Sequence, residues 1–108
     1  MIPDQYTPSN YNDPELTKKI TNSAASVLGK DLVKGAEPVM GGEDFAVYGS
    51  TEDKVPCVIF WLGTVPESRM KSGEIHGLHS PFYYPDPEKT LETGITVMSQ
   101  SLVDLMPN

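Results

Sequence analysis

Apolar residues fall at helical spacing twice along this chain, near its start and at its end. Leu16, Ile20, Ala24, Val27 and Leu28 share one face of a 3.6-residue repeat, which predicts a helix over 14–28. Asp13-Pro14 supplies its start, an acid at the N-cap and proline at the first helical position. Gly29 supplies its stop. At the other end, Leu91, Ile95, Met98, Leu102 and Leu105 form a second stripe, interrupted mildly by Gly94. Asp86-Pro87 opens that helix with the same capping chemistry and Pro107 ends it. The stripe marks the face expected to meet the core.

Between the helices the pattern changes. Val55 to Leu62, VPCVIFWL, is rich in β-branched and aromatic residues and apolar on both alternating faces. A strand buried on both sides, central in an α/β sheet, accounts for that. Pro56 is tolerated near its start. A weaker helical pattern runs from Gly42 to Tyr48. Residues 32–39 read as a short strand or an extended connection. Residues 63–85 show no periodicity, and a connection of that length is often functional. Residues 1–12 read as a polar arm or linker. The sum is an α/β class: central buried strand or strands flanked by two long helices and a short one. A lone buried strand cannot satisfy its own backbone edges. The expectation is therefore a partial domain over 13–108, one that self-associates or lacks an N-terminal portion.

Composition narrows the function classes. The 108 residues are 38% hydrophobic and 21% charged, which suits a folded soluble domain rather than a disordered chain. The formal net charge is −7. Nucleic acids and anionic membrane surfaces want a basic face, so neither is an expected partner. No apolar run approaches the roughly 20 residues of a membrane span. One cysteine, Cys57, forms no internal disulfide, and a reducing, cytoplasmic setting is the default.

Two stretches carry candidate chemistry. In IHGLHSPFYYPDP, His79 can ligate a metal or move a proton, and Ser80-Pro81 stiffens the backbone that presents it. Loop histidines are commonly plain surface residues. His76 lies three positions earlier, but Gly77 and Pro81 argue against the helix that a zinc-binding H-x-x-H pair needs. In PVMGGEDFAVYG, Gly41 and Gly42 let backbone N–H groups approach a ligand closely, and Glu43 and Asp44 follow. The plain reading is that both carboxylates stabilise the positive end of a short helix. Cys57, Phe60, Trp61 and Leu62 read as core. Tyr83 and Tyr84 read as packing, and Ser80 has no base and acid at triad spacing.

Taken in order, YNDPEL, PVMGGEDFAVY, VPCVIFWLGT and LHSPFYYPDPE resemble the C-terminal part of the catalytic domain of metal-dependent amidohydrolases. These are the N-acyl-amino-acid, hippurate and auxin-conjugate hydrolases of the aminoacylase and carboxypeptidase family. The match covers most of residues 11–105. The resemblance implies a larger phosphorylase/hydrolase-like zinc-peptidase catalytic domain with an inserted lid, whose returning end would be residues 1–12. It implies two divalent metal ions, zinc, manganese or cobalt, that polarise an amide carbonyl and activate water. His79 matches the last metal ligand. Gly41, Gly42 and Glu43 match the substrate-binding loop beside the active site. Nothing in residues 1–40 matches the remaining ligands or the catalytic glutamate, so no catalytic residue is expected in this chain. The expectation is a fragment that binds no metal tightly and hydrolyses no amide alone. Two other readings stand beside it: a non-catalytic binding or assembly module, and a small metal-binding protein using Glu74, His76 and His79.

Overall fold

The computed structural model describes residues 8–39 and 43–107. Helix α1 spans Pro14–Leu28, α2 Glu67–Ser72 and α3 Pro87–Leu105, with 3₁₀ segments at Lys30–Leu32, one turn long, and Asp44–Ser50, about two turns long.

Both long helices begin as their capping residues dictate. The Asp13 carboxylate accepts from the Leu16 N–H at 2.8 Å, and its carbonyl accepts from Thr17. The Asp86 carboxylate accepts from the Lys89 N–H at 3.1 Å. Each cap satisfies donors that a helix start leaves without an internal partner. Gly29 closes α1 at φ +88°, a backbone state that favours glycine.

The helices α1 and α3 pack on each other. Small residues line the seam: Ser23 and Ala24 of α1, and Val97 and Ser101 of α3, are all buried. The Ser23 hydroxyl donates across it to Asp104 at 2.6 Å, with the Lys19 carbonyl also in reach at 3.1 Å. Gln100 donates to the other Asp104 oxygen at 2.8 Å.

The apolar stripe of α3 does not face this seam. Leu91, Ile95, Met98, Leu102 and Leu105 are all exposed. At about 100° per residue they lie roughly a third of a turn from Val97. The seam took small residues because they let two helices approach closely, and the larger residues were left outside. On α1 the expected face is the observed one: Ile20 and Ala24 are buried, Leu16 and Leu28 half-buried, and Val27 lies at its rim.

Gly94 interrupts the stripe for a steric reason. A Cβ there would meet the Leu62 side chain at 3.1 Å, so α3 and the segment 55–62 come together at a glycine. That segment has no ladder partner among the described residues. It runs without helix or turn beside residues 12 and 13. Asn12 donates its amide to the Ile59 carbonyl at 2.8 Å and accepts from the Ile59 N–H at 2.9 Å. Asp13 N–H donates to the Cys57 carbonyl at 2.9 Å. Val55, Ile59, Phe60 and Trp61 are exposed, and Val58 and Leu62 half-buried.

Helix α2 lies inside the stretch 63–85, where the hydrophobic pattern gives no sign of it. Six residues are too few to show a period. Its supports are local: a Glu67–Lys71 ion pair at 2.7 Å and a left-handed Gly73 that ends it. Residues 33–39 carry no regular element.

The described apolar core is small: Ile20, Ala24, Ala46 and Val97. The radius of gyration is 16.4 Å, against about 13 Å for a compact domain of this size. Helices and extended segment thus lie as a plate of 48 × 46 × 22 Å rather than closing round one core.

Candidate functional site

His79 sits third in a turn whose ends are joined by the Ser80 N–H and the Gly77 carbonyl at 2.9 Å. A second turn follows at once, with the Tyr83 N–H donating to the Ser80 carbonyl at 3.1 Å and Pro81 at its first corner. The Ser80 hydroxyl accepts from the Phe82 N–H at 3.1 Å. Proline's fixed φ suits that corner, and serine's side chain supports the turn. Two consecutive turns hold the backbone on both sides of an exposed imidazole.

The loop is tied down further along. Tyr83 and Thr64 share a hydroxyl–hydroxyl hydrogen bond. The Asp86 N–H donates to the Thr64 carbonyl at 2.8 Å. The Arg69 guanidinium lies over the Tyr84 ring at 4.6 Å from its centroid. The exposed His76 ring packs tilted against Phe82 at 5.7 Å. Tyr83 and Tyr84 therefore anchor the His79 loop to the end of segment 55–62 and to α2. The sequence shows no sign of either pairing, since Thr64 and Arg69 are distant along the chain and in no periodic relation to them.

Glu43 is the N-cap of the turn Asp44–Ser50. Its carboxylate accepts from the Phe45 N–H at 3.3 Å and its carbonyl from the Ala46 N–H at 3.1 Å. That is the plain helix-start role, held by an exposed side chain. Gly41 and Gly42, the expected close-approach glycines, lie outside the described residues. No hydrogen bond or ion pair joins Glu43 to His79 among the described residues.

Among the described residues no three of His, Cys, Asp or Glu gather in an arrangement able to hold a metal ion. An exposed imidazole fits one corner of a metal site and cannot constitute one, because such sites take three or four protein donors. A cleft of about 360 Å³ lies between the starts of α2 and α3, lined by Thr64, Glu67, Asp86, Lys89 and Thr90 among others. Neither His79 nor Glu43 reaches it. No helix among the described residues is long and apolar enough to cross a membrane.

Comparison with known proteins identifies the class. The family described as peptidase family M20/M25/M40 matches residues 2–104. A probable hydrolase of Synechocystis is 33% identical over 93 residues, 85% of this chain and 22% of the relative. An N-acetyldiaminopimelate deacetylase of Limosilactobacillus reuteri is 32% identical over 97 residues, 90% of this chain and 22% of the relative. An uncharacterized hydrolase of Sinorhizobium fredii is 25% identical over 76 residues, 70% of this chain and 17% of the relative. The chain belongs to the peptidase family M20/M25/M40. Members of that family generally bind divalent metals. The chain spans about a fifth of the length of the curated relatives it matches. No solved structure matches it.

Proposed function

We propose that this chain is the C-terminal part of the catalytic domain of a metal-dependent amidohydrolase acting on N-acyl-amino acids or related amide conjugates. The observation that carries the reading is the position of LHSP in a chain of this family. Its histidine stands exposed inside the first of two consecutive turns, open to donors from elsewhere. The substrate class draws support from the Limosilactobacillus relative, named for removing an acetyl group from an amino acid.

In this reading His79 donates one imidazole nitrogen to a metal centre whose other ligands come from the rest of a longer polypeptide. The bound metals supply Lewis acidity and an activated water when present. The chain's own residues do the positioning. Thr64, Tyr83 and Arg69 hold the histidine loop, and Glu43 fixes the helix start that follows Gly41 and Gly42. The resemblance gives Gly41, Gly42 and Glu43 the substrate-binding role in this proposal. The segment 55–62 belongs to an α/β sheet completed by the same polypeptide.

The test is a chimaera in which residues 2–104 replace the matching stretch of the Limosilactobacillus deacetylase. Its turnover of N-acetyldiaminopimelate and its metal content are both measured. His79→Ala is expected to lower turnover at least about a hundredfold and to reduce bound metal, while leaving the helical content unchanged. A folded, active chimaera indifferent to His79→Ala overturns the metal role.

A further inference from the structure

Three hydrogen bonds converge on the residue that follows His79. The Ser80 N–H donates to the Gly77 carbonyl at 2.9 Å and closes the turn that contains His79. The Ser80 carbonyl accepts from the Tyr83 N–H at 3.1 Å and opens the next turn. Between them, the Ser80 hydroxyl accepts from the Phe82 N–H at 3.1 Å. Ser80 is thus the last residue of one turn and the first of the other, with its N–H, C=O and Oγ all engaged. The sequence suits the arrangement. Pro81 sets φ at the second turn's first corner and has no N–H, so the next backbone N–H after Ser80 belongs to Phe82. Serine fits the opening position because its short side chain reaches a backbone N–H two residues on. Tyr83, at the far end of the second turn, is itself held by Thr64. A continuous set of bonds therefore runs from Thr64 through Tyr83 to Ser80, next to the histidine.

We infer that Ser80 is a positioning residue for the metal ligand: its hydroxyl holds the junction of the two turns and so fixes the backbone from which the His79 imidazole reaches a metal ion. The inference rests on the reading of His79 as a ligand. Ser80 acts through the backbone and touches neither metal nor substrate.

The physical reason is the cost of order. A ligand on a loose loop must be ordered at the moment it binds, and that cost is subtracted from affinity. A turn closed beforehand removes part of it. Of the three bonds only one depends on the side chain. Any residue but proline can offer the N–H and C=O, whereas the bond to Phe82 needs an acceptor of serine's reach. Ser80→Ala therefore deletes one bond and leaves two. The Phe82 N–H is exposed, so water replaces the lost acceptor and the loop loosens without the fold collapsing.

Two measurements test this. In the 108-residue chain, amide exchange at Phe82 is expected to quicken at least about threefold in Ser80→Ala. It should return towards the wild-type rate in Ser80→Thr, which restores a hydroxyl. Unchanged exchange at Phe82 in Ser80→Ala overturns the inference whether or not a metal site is assembled. In the deacetylase chimaera, zinc affinity is measured by competition with a chelator. Ser80→Ala is expected to weaken it about three- to tenfold, with Ser80→Thr within about twofold of wild type and His79→Ala far weaker than either. Helical content and the unfolding midpoint should stay unchanged throughout. A serine with a merely structural role would lower the midpoint and leave the affinity of the folded chimaera alone, and that result overturns the inference. Affinity lost in His79→Ala but untouched in Ser80→Ala overturns the positioning role and leaves the ligand reading standing. Affinity indifferent to His79→Ala defeats the ligand reading first, and this inference with it.

Discussion

Val97 and Met98 are neighbours in α3 with opposite fates: one is 4% exposed, the other 52%. Val97→Ala is expected to cost about 1–2 kcal/mol, the transfer free energy of the lost methyl groups plus the small cavity left behind. Met98→Ala is expected to stay within about 0.5 kcal/mol, as for other exposed positions. Thermal unfolding of the two variants checks the order, and a reversal would place the large-residue stripe, not the small-residue seam, against α1. Residue-level legibility was uneven in the same way. Asp13, Pro14, Asp86 and Pro87 announced their helix starts because capping is local chemistry. Gly94 read as a flaw in a stripe, and only its contact with Leu62 shows why a side chain is unwelcome there. His79 was visible as a loop histidine. Its fixing by Tyr83 and Thr64 was not, because that hydrogen bond joins residues 19 positions apart.

Among the elements, the helices were legible in extent and half-legible in orientation. The start and end of α1 and α3 matched their caps, and α1 buried its expected face. The second stripe misled because periodicity reports that one face is apolar without saying what lies against it. The segment 55–62 shows the same limit. Its apolar character is plain in the sequence, yet among the described residues its backbone is met by the Asn12 side chain and the Asp13 N–H, and Leu62 meets α3 at Gly94. Asn12→Ala is expected to lower stability by about 1 kcal/mol, since net hydrogen-bond contributions are modest and these bonds are exposed. It should also speed amide exchange at Ile59 while leaving Val58 as it was. Unchanged exchange at Ile59 would mean that Asn12 does not hold the segment in solution.

At the scale of the whole molecule, the thin core and the lack of a metal-holding cluster round His79 among the described residues point the same way. A metal centre assembled from one ligand has no chelate partner, so the 108-residue chain is expected to bind zinc without a stoichiometric submicromolar site in calorimetry. It is also expected to show no turnover of hippurate or N-acetyl-amino acids with added zinc, manganese or cobalt. Turnover that disappears in His79→Ala would defeat the fragment reading and leave a complete site within these residues. The plate-like outline belongs to the same picture, for a chain that leaves its largest side chains uncovered has surface meant for something else to cover.

What the sequence determined by itself was local or cumulative: helix starts and stops, the apolar nature of 55–62, the acidic balance, and an ordered set of motifs that pointed to a hydrolase family. Each depends on residues close together in the chain or on composition. The tertiary structure decided which face of α3 turned inward, that the Asn12 side chain would bond both backbone groups of Ile59, and that Thr64 and Arg69 would hold the His79 loop. Those outcomes depend on pairs far apart in sequence. Small residues win a helix seam by permitting close approach, and a free backbone edge takes whichever donor and acceptor the chain brings beside it. Neither competition leaves a mark on the spacing of residues along the chain.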